Sequence, residues 1–352
     1  MRDVAVIGFA QSPQVRHAEG TTNGVEMLIP IFHEVFGELG IDKSDIGFWC
    51  SGSSDYLAGR AFSFISAIDA IGPVPPINES HVEADAAWAL YEAWVKLQTG
   101  EVDTALVYGF GKSSAGDLRR TLALQLDPYT LAPLWPDSVA IAGLQARLGI
   151  DSGAWSERAM AEVAVRSRRD AETNPKAQLT GSKDVDELLA EPYLADPLRR
   201  HDCAPITDGA AVIVLAAEGR ARELAERPAW ITGIAHAVDS AHLGARDLTN
   251  SPSTSAAARR AGIDGVEVAE LHTPFTHQEL LLRTELDLGD DVRITPSGGA
   301  LAGNPMFAAG LTRIGEAASH VLDGSASRTL AHATSGPALQ QNLVCVLEGR
   351  DR

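Results

Sequence analysis

Two halves of the chain open with the same pattern of apolar residues, a short continuous run that contains a glycine near its end. The run VAVIGFA covers residues 4–10, and the run AWITGIA covers residues 229–235, after a turn at Arg227 and Pro228. Each half then continues with a helical stretch, a buried strand, a second helix and two late strands. The late strands cover residues 103–109 and 210–215 in the first half, and 327–333 and 342–347 in the second. Continuous apolar strands that alternate with helices predict an α/β protein in which two duplicated sheets pack around shared central helices.

The stretch between the late strands of the first half has a different pattern. Prolines interrupt helical segments such as residues 155–170, and charged residues are more frequent there. We interpret this stretch as a mainly helical insertion that lies over the first half. The predicted domains are residues 1–111 with 201–226 for the first half, 112–200 for the insertion, and 227–352 for the second half.

Composition limits the classes of protein to which the chain can belong. Its 352 residues are 45% hydrophobic, which is enough for a sizeable core. No apolar run approaches the length of about 18 residues that a membrane span requires. The N-terminus enters a strand without a basic and apolar leader, so we expect a cytoplasmic protein. The net charge of -18 is spread along the chain, which disfavours binding to nucleic acid.

Few residues offer metal or cofactor chemistry. Cys50, Cys203 and Cys345 are too far apart in sequence for a CxxC zinc site, and so few thiols suit a reducing compartment. The first strand is not followed by GxGxxG, and the chain contains no GxxxxGK[ST], HExxH or GxSxG motif. We therefore expect neither a bound metal nor a nucleotide cofactor.

Several loops, in order along the chain, resemble the signature loops of thiolases. Residues 78–93 (NESHVEADAAWALYEA) resemble the loop and helix that carry the thiolase nucleophile. Residues 270–275 (ELHTPF) resemble the HDCF loop, and residues 295–310 (TPSGGALAGNPMFAAG) resemble the NPSGG…GHP…G loop. Residues 331–337 (AHATSGP) take the place of the loop HNxGxGG.

Shorter motifs narrow the resemblance to the sterol-carrier-type branch of thiolase-like proteins, which includes the lipid-transfer proteins. They lie in the insertion and the returning strand, at residues 174–177, 196–198, 202–203 and 207–211. The resemblance covers nearly the whole chain. It implies the thiolase fold, in which two duplicated βαβαβαββ halves form a five-layered αβαβα sandwich with a helical loop-domain insertion.

The same resemblance shows that reactive residues of thiolases are missing. Glu83 stands at the position of the nucleophilic cysteine, and Asn304 stands where the family has a histidine. His272 matches the histidine that orders the oxyanion water, and His332 lies in the C-terminal loop. We therefore predict His272, His332 and Glu83 as catalytic residues. The predicted substrate-binding residues are Asn304, Ser297, Gly298 and Gly336.

Two interpretations of Glu83 stay open. A carboxylate does not replace a thiolate as nucleophile, but burial would raise its pKa and let it accept a proton. Alternatively, Glu83 is a helix-terminal carboxylate that backbone N–H groups satisfy. Asp85, two residues further on, is expected on a different face of the helix and is a weaker candidate.

Three functions are compatible with these residues. The first is a thiolase-like subunit of an enzyme complex in lipid or steroid side-chain degradation, which cleaves a β-hydroxyacyl-CoA by a retro-aldol reaction without a cysteine nucleophile. This cleavage needs a base for the β-hydroxyl group and hydrogen-bond donors for the enolate oxygen. Because the last tyrosine is Tyr193, His272, His332 or Glu83 would replace the tyrosines that aldolase-type relatives take from the second half.

The second function is that of a catalytically degenerate subunit that supports an active paralogue, and the third is an acyl-CoA or sterol carrier. The implied partners are an acyl-CoA thioester, a thiolase-like paralogue in a homo- or heterodimer, and a small companion protein with a zinc ribbon and an OB fold. No cofactor is expected besides the acyl-CoA substrate.

Overall fold

The computed structural model describes residues 1–19, 24–55, 63–72, 78–181 and 183–350. The α-helices are α1 (Val25–Leu39), α2 (Ser63–Ile71), α3 (Ala86–Gln98), α4 (Leu118–Leu124), α5 (Ser138–Asp151), α6 (Glu157–Asp170), α7 (Val185–Leu189), α8 (Glu218–Leu224), α9 (Pro252–Ala261), α10 (Thr276–Glu285), α11 (Gly299–Ala302) and α12 (Ala309–Leu322). The strands are β1 (Val4–Gln11), β2 (Phe48–Gly52), β3 (Glu79–Val82), β4 (Thr104–Gly111), β5 (Tyr193–Ala195), β6 (Leu198–Arg199), β7 (Ile206–Thr207), β8 (Gly209–Ala217), β9 (Ala229–Val238), β10 (Val268–Leu271), β11 (Arg293–Ile294), β12 (Asn304–Pro305), β13 (Arg328–Ser335) and β14 (Gln341–Glu348).

Ten of these strands form one mixed sheet, in the order β11-β10-β13-β14-β9-β1-β8-β4-β2-β3. In the first half β1, β8 and β4 are antiparallel neighbours, and β4, β2 and β3 are parallel. In the second half β9, β14 and β13 are antiparallel, and β13, β10 and β11 are parallel. A short antiparallel pairing of β1 with β9, in which Ala5 lies opposite Trp230, joins the halves. The duplication predicted from the two opening runs is therefore confirmed.

Helices cover both outer faces of the sheet and fill the space between its halves. Helix α1 packs on β1 and β8 outside the first half, and α9 packs on β9 and β14 outside the second. Helices α3 and α12 lie between the halves, where apolar side chains from both meet in one core cluster. The predicted five-layered αβαβα arrangement is confirmed, except that the two predicted sheets are joined into one by the pairing of β1 with β9.

The central helix α3 begins directly against two strands because both strands carry a glycine at the contact. A Cβ atom on Gly52 would lie 2.5 Å from the Cα atom of Ala86, and one on Gly109 would lie 2.6 Å from the Ala86 Cβ atom. Any side chain at either position would displace the helix. The glycines therefore bring the N-terminus of α3 close to the ends of β2 and β4.

The insertion between β4 and β8 is largely helical, but the prediction that it lies over the first half is wrong. Helix α6 packs on α10 and α11, which belong to the second half. Trp155 and Met160 of the insertion join the outer core cluster of the second half, together with Leu271 and Leu282. The order of elements along the chain suggested packing on the first half, because the insertion interrupts that half in sequence. The insertion packs where its apolar faces find complementary apolar surface, and the order of elements does not reveal this.

One buried carboxylate holds the two central helices together at their N-termini. Asp85 is the N-cap of α3, where its Oδ1 atom accepts a hydrogen bond from the Ala87 N–H group at 2.9 Å. The same carboxylate accepts hydrogen bonds from the N–H groups of Gly310 at 2.9 Å and Leu311 at 3.1 Å, in the first turn of α12. Both helix dipoles thus point their positive ends at one side chain. The sequence-based view of Asp85 as a minor residue missed this role.

We expect Asp85→Ala to lower the free energy of unfolding by about 3 kcal/mol or more, because three buried N–H groups lose their acceptor at about 1 kcal/mol or more each. Asp137→Ala is the matched control, since Asp137 caps only α5, by accepting from Ala140. It should cost about 1 kcal/mol. Urea unfolding followed by circular dichroism measures both. Equal losses of unfolding free energy in the two variants would contradict the conclusion that Asp85 joins the two central helices.

Candidate active site

The structure brings His272 and Asn304 together where β10 ends. The His272 Nε2 atom lies 3.2 Å from Asn304 Oδ1, and its Nδ1 atom accepts a hydrogen bond from the Thr334 N–H group at 3.4 Å. Since Nδ1 is the acceptor, the proton of the neutral ring is on Nε2, which donates to Asn304. The Asn304 Nδ2 group makes no hydrogen bond within the described residues. Two residues that were predicted separately, from two motifs, are therefore in direct contact.

The electrostatics of this pair keep His272 uncharged. Burial lowers the pKa of His272 to about 4, and the hydrogen bond to Asn304 only partly opposes that shift. An imidazole with this pKa is neutral near pH 7 and acts as a hydrogen-bond donor and acceptor. Its chemical contribution is therefore to orient the Asn304 amide so that the Nδ2 group faces away from the ring.

His332 lies beside His272, but its side chain has a different partner. Its carbonyl oxygen accepts a hydrogen bond from the His272 N–H group at 3.1 Å, while its Nε2 atom lies 2.9 Å from Asn342 Oδ1. The Asn342 amide nitrogen donates to Ser251, Ser253 and the Leu339 carbonyl, so Oδ1 accepts the proton of His332 Nε2. The Nδ1 lone pair of His332 is consequently buried with no partner among the described residues.

Burial also lowers the pKa of His332, to about 3, and the neighbouring His272 adds to this effect. An unpaired buried acceptor is uncommon in proteins and calls for an explanation, such as a proton or ligand that it receives during function.

Glu83 does not join this pair. Its side chain is 50% exposed, so the burial that would turn it into a proton acceptor is not present in the single chain. Its Oε1 atom accepts a hydrogen bond from the Asp55 N–H group at 3.1 Å, and its Oε2 atom lies 3.5 Å from His81 Nε2. Glu83 thus belongs to a group of residues at the outer edge of the first-half sheet.

Ser297 and Gly298 form part of the wall beneath the pair. The Ser297 hydroxyl donates to Glu270 Oε2 at 2.7 Å and its N–H group donates to Glu270 Oε1 at 3.0 Å. Gly298 has a φ of +88°, and a Cβ atom there would lie 2.6 Å from the Cβ atom of Ala171 in the insertion. Both residues are therefore committed to internal packing, and the glycine is required because the insertion approaches so closely.

Gly336, the last of the predicted substrate-binding residues, lies in the turn between β13 and β14. It has a φ of +75°, and a Cβ atom there would lie 2.6 Å from Gln340 Oε1. Its position needs a residue that tolerates a left-handed conformation. The structure gives it the role of a turn glycine, one residue from the end of the strand that carries His332.

Buried charges behind the loop were missed from the sequence. Arg313 of α12 pairs with Glu270 of β10 at 2.8 Å and also contacts the Ser297 hydroxyl at 2.5 Å. Glu316, one turn further along, accepts a hydrogen bond from Gln11 at 2.5 Å, and burial together with Glu270 raises its pKa. The signal available in the sequence was the presence of two charged residues, Arg313 and Glu316, among the mainly apolar residues of α12. Buried charges are generally kept only where they are paired, so these two residues indicated a buried cluster of charges.

None of the three cysteines is suited to nucleophilic chemistry. Burial raises the pKa of Cys203 and of Cys345 to about 12, and it raises the pKa of Cys50 as well. The attacking species in thiol chemistry is the thiolate, which these environments disfavour. The described ranges contain no group of three or more His, Cys, Asp or Glu side chains placed to hold a metal ion. Within the same ranges, no helix has the length and apolar character needed to cross a membrane.

Comparisons with known proteins give a consistent set of relatives. No family model matches the chain. The chain is 25% identical over 346 residues to the acetyl-CoA acetyltransferase of Methanothermobacter thermautotrophicus, with 90% of each chain covered. It is 25% identical over 319 residues to human sterol carrier protein 2, which covers 77% of this chain and 56% of that protein. It is 40% identical over 181 residues to the 17-hydroxy-3-oxo-4-pregnene-20-carboxyl-CoA lyase of Mycobacterium tuberculosis, covering 47% of this chain and 46% of the lyase.

Solved structures show the same fold. An Ltp2-ChsH2(DUF35) aldolase matches with a TM-score of 0.80 at 17% identity, over 99% of this chain and 98% of that one. Human mitochondrial 3-ketoacyl-CoA thiolase matches with a TM-score of 0.78 at 15% identity, over 99% of both chains. The chain belongs to the thiolase superfamily. Within that superfamily it is similar to the thiolase-like proteins of the sterol-carrier type.

The neutral buried histidines make stability depend on pH in a defined direction. Burial lowers the pKa of His277 to about 3, so this ring stays neutral in the folded chain, whereas in the unfolded chain it takes up a proton near pH 6.5. The contribution of the neutral ring to the free energy of unfolding is complete above pH 6.5 and is lost as the pH falls towards 3. Asp85, Asp202 and Glu316 act in the opposite direction, since their pKa values are raised in the folded chain.

Comparison of the wild type with the His277→Gln variant isolates the contribution of His277 to the pH dependence of stability. We expect the stability advantage of the wild type over His277→Gln to shrink by about 2 kcal/mol between pH 7.5 and pH 5, because 1.5 pH units below 6.5 correspond to about 2 kcal/mol. Urea unfolding of both chains at both pH values measures this difference. The glutamine retains a donor for Gln145, which lies 3.1 Å from His277 Nε2. A difference that is constant with pH would show that His277 is not held neutral by burial.

Proposed function

We propose that this chain is the thiolase-like subunit of a complex that cleaves the Cα–Cβ bond of a β-hydroxyacyl-CoA by a retro-aldol reaction. The observation that carries the proposal is the contact of His272 with Asn304, which leaves the Asn304 Nδ2 donor free for a substrate oxygen. The raised pKa values of all three cysteines favour a reaction that needs no thiolate.

In the proposed reaction, the thioester carbonyl oxygen accepts a hydrogen bond from Asn304 Nδ2. The Nδ1 lone pair of His332 takes the proton of the β-hydroxyl group, once the negative charge that develops on the bound substrate raises the low pKa that burial gives this ring. The Cα–Cβ bond then breaks, and its electrons form the thioester enolate, whose oxygen the Asn304 donor stabilises. The β-carbon leaves as a ketone or an aldehyde. His332 returns the proton to Cα, which yields a shortened acyl-CoA without a covalent intermediate. Glu83 has no part in this scheme.

Two relatives support the substrate class and the need for a partner. The lyase of Mycobacterium tuberculosis is named for a substrate that carries both a hydroxyl group and a CoA thioester. The aldolase of the same fold is named for two components, Ltp2 and ChsH2(DUF35). We therefore propose a steroid or other lipid side chain on the acyl-CoA and a heteromeric complex that includes a zinc-ribbon and OB-fold companion.

A second candidate function is that of a degenerate subunit that supports an active paralogue. The observation in its favour is the burial of both histidines, since His332 is 0% exposed and His272 only 7% exposed in the single chain. A substrate reaches these rings only if the complex opens the site. A supporting subunit would keep the same hydrogen bonds for stability alone.

The first test is C–C cleavage by the chain co-purified with the proteins encoded beside it, on a β-hydroxyacyl-CoA with a steroid side chain. We expect a ketone and a shortened acyl-CoA, both detected by mass spectrometry. Asn304→Asp should lower kcat by about 10²- to 10³-fold, because it keeps the acceptor for His272 but removes the Nδ2 donor. The control is His17→Ala, which removes an exposed histidine far along the chain from both loops.

His272→Ala and His272→Gln separate a positioning role from a structural one. We expect His272→Ala to lose most of its kcat, while His272→Gln recovers part of it because the glutamine amide can still donate to Asn304. Melting temperature reports the fold of each variant. Full turnover in His272→Ala would overturn the site. Assembly with a cysteine-bearing paralogue, and activity lost only when that partner is mutated, would establish the supporting subunit instead.

A further inference from the structure

A row of hydrogen bonds connects the buried ring of His332 with a carboxylate at the end of β9. His332 Nε2 donates to Asn342 Oδ1 at 2.9 Å, and Asn342 Nδ2 donates to the Ser253 hydroxyl oxygen at 2.8 Å. The Ser253 hydroxyl donates in turn to Asp239 Oδ2 at 2.5 Å. The first three side chains are buried and Asp239 is half-buried. We call these four side chains the Asp239 network.

The sheet of the second half brings the network together. Strand β14, which carries Asn342, lies between β13, which carries His332, and β9, which Asp239 follows directly. The residues opposite Asn342 are two positions from His332 on one side and two positions from Asp239 on the other. Side chains two residues apart on a strand point to the same face, so all three lie on one face. Helix α9 packs on β9 and β14, and Ser253 in its first turn also donates its N–H group to Asp239, at 3.2 Å.

Two groups that can only accept hydrogen bonds determine the direction of the whole network. A carboxylate has no proton to donate, so Ser253 gives its single hydroxyl proton to Asp239, and its oxygen is left to accept from Asn342 Nδ2. The Leu339 carbonyl accepts from the same Nδ2 atom at 2.9 Å. Both acceptors turn Asn342 Oδ1 towards His332. This oxygen requires the proton of the neutral imidazole on Nε2, which leaves the lone pair on Nδ1.

The free lone pair distinguishes His332 from the other imidazole of the site. His332 Nδ1 is the one buried nitrogen or oxygen of the Asp239 network without a hydrogen-bond partner among the described residues. His272 also has its proton on Nε2, but its Nδ1 atom accepts a hydrogen bond from the Thr334 N–H group. A network that served stability alone would satisfy its last buried acceptor, because an unpaired one costs free energy. The network instead keeps one lone pair unused.

We propose that Asp239 and Asn342 are positioning residues that prepare His332 as a base by fixing its proton on Nε2. This inference rests on the proposed function, in which Nδ1 of the ring takes the proton of the β-hydroxyl group. Asp239 touches neither the substrate nor the ring and acts through Ser253 and Asn342. A ring with its proton on Nδ1 would present a donor to the β-hydroxyl group and could not accept the proton there.

The network also favours the state of the ring after proton transfer. When Nδ1 takes the proton, the imidazole becomes an imidazolium, and its Nε2–H bond to Asn342 becomes charge-assisted and stronger. The hydrogen bonds from Asn342 to Ser253 and from Ser253 to Asp239 already have the direction that this state needs, and such connected bonds strengthen one another. No side chain of the network has to turn during the reaction, as a preorganised site requires.

The first test reads the tautomer of His332 in the full chain without substrate. In a neutral histidine the protonated and unprotonated ring nitrogens have different ¹⁵N chemical shifts, which NMR of histidine-labelled protein measures at neutral pH. The His332 signals are identified by their absence from the His332→Phe variant. We expect the proton on Nε2 in the wild type. A proton on Nδ1 would overturn the inference, and this outcome does not depend on the folding of any positioning variant.

Substitutions within the network test which residues fix the tautomer. Asn342→Leu keeps a similar volume but removes the acceptor for Nε2, so we expect the proton to move to Nδ1. In the active complex its kcat should fall by about 10²-fold or more with little change in KM. Asp239→Ala should give a mixture of the two tautomers and a smaller loss of kcat. Asp239→Asn should recover the wild-type tautomer, because its amide oxygen still accepts from Ser253.

Asp247→Ala is the matched control. Asp247 lies in the same connection between β9 and α9, but its carboxylate accepts from Thr249 and Asn250 in its own turn. Its removal should leave the tautomer of His332 and the kcat unchanged. A wild-type tautomer in a folded Asn342→Leu variant would overturn the inference. If the variants shift the tautomer as expected but the wild-type complex cleaves no β-hydroxyacyl-CoA, the proposed function fails and the control of the tautomer by the network is upheld.

Discussion

The carboxylate of Asp85 is the contact on which the arrangement of the two halves depends. The central helices α3 and α12 come from different halves, and both direct their first N–H groups at this one side chain. Burial raises the pKa of Asp85, while the three N–H donors act against that shift. The apolar contacts between the helices are nondirectional, so the carboxylate supplies the orientation that packing alone does not specify.

This clamp also limits the chemistry that the chain can carry out. A thiolate nucleophile relies on the N-terminus of a helix to stabilise its charge. Here that electrostatic position is already taken by the chain's own carboxylate, and Glu83, at the place expected for the nucleophile, faces His81 and Asp55. In the proposed reaction, the groups that act on the thioester are neutral, namely the Asn304 amide and the two buried imidazoles. Their chemistry depends on hydrogen-bond geometry more than on charge.

The fold could be predicted from the sequence because repeated local patterns specify it, and two motifs of one family identified His272 and Asn304 as separate candidates. Their contact became visible only in the structure. Other features depend on long-range packing. Whether Glu83 is exposed, whether the insertion covers the second half, and whether Arg313 meets Glu270 are all decided by residues far apart in the chain. Asp85 was misjudged for the same reason, since two of its three partners lie more than 200 residues away.

The two halves share only a short stretch of strand pairing, and this has a consequence for the order in which the chain acquires structure during synthesis. Strand β1 pairs with β8 across the whole insertion, and α3 lacks its main central neighbour until α12 has been made. Contacts so distant in sequence form late and slowly. The first half therefore leaves the ribosome with an apolar helix face uncovered, and it is in this interval that the chain is most exposed to aggregation.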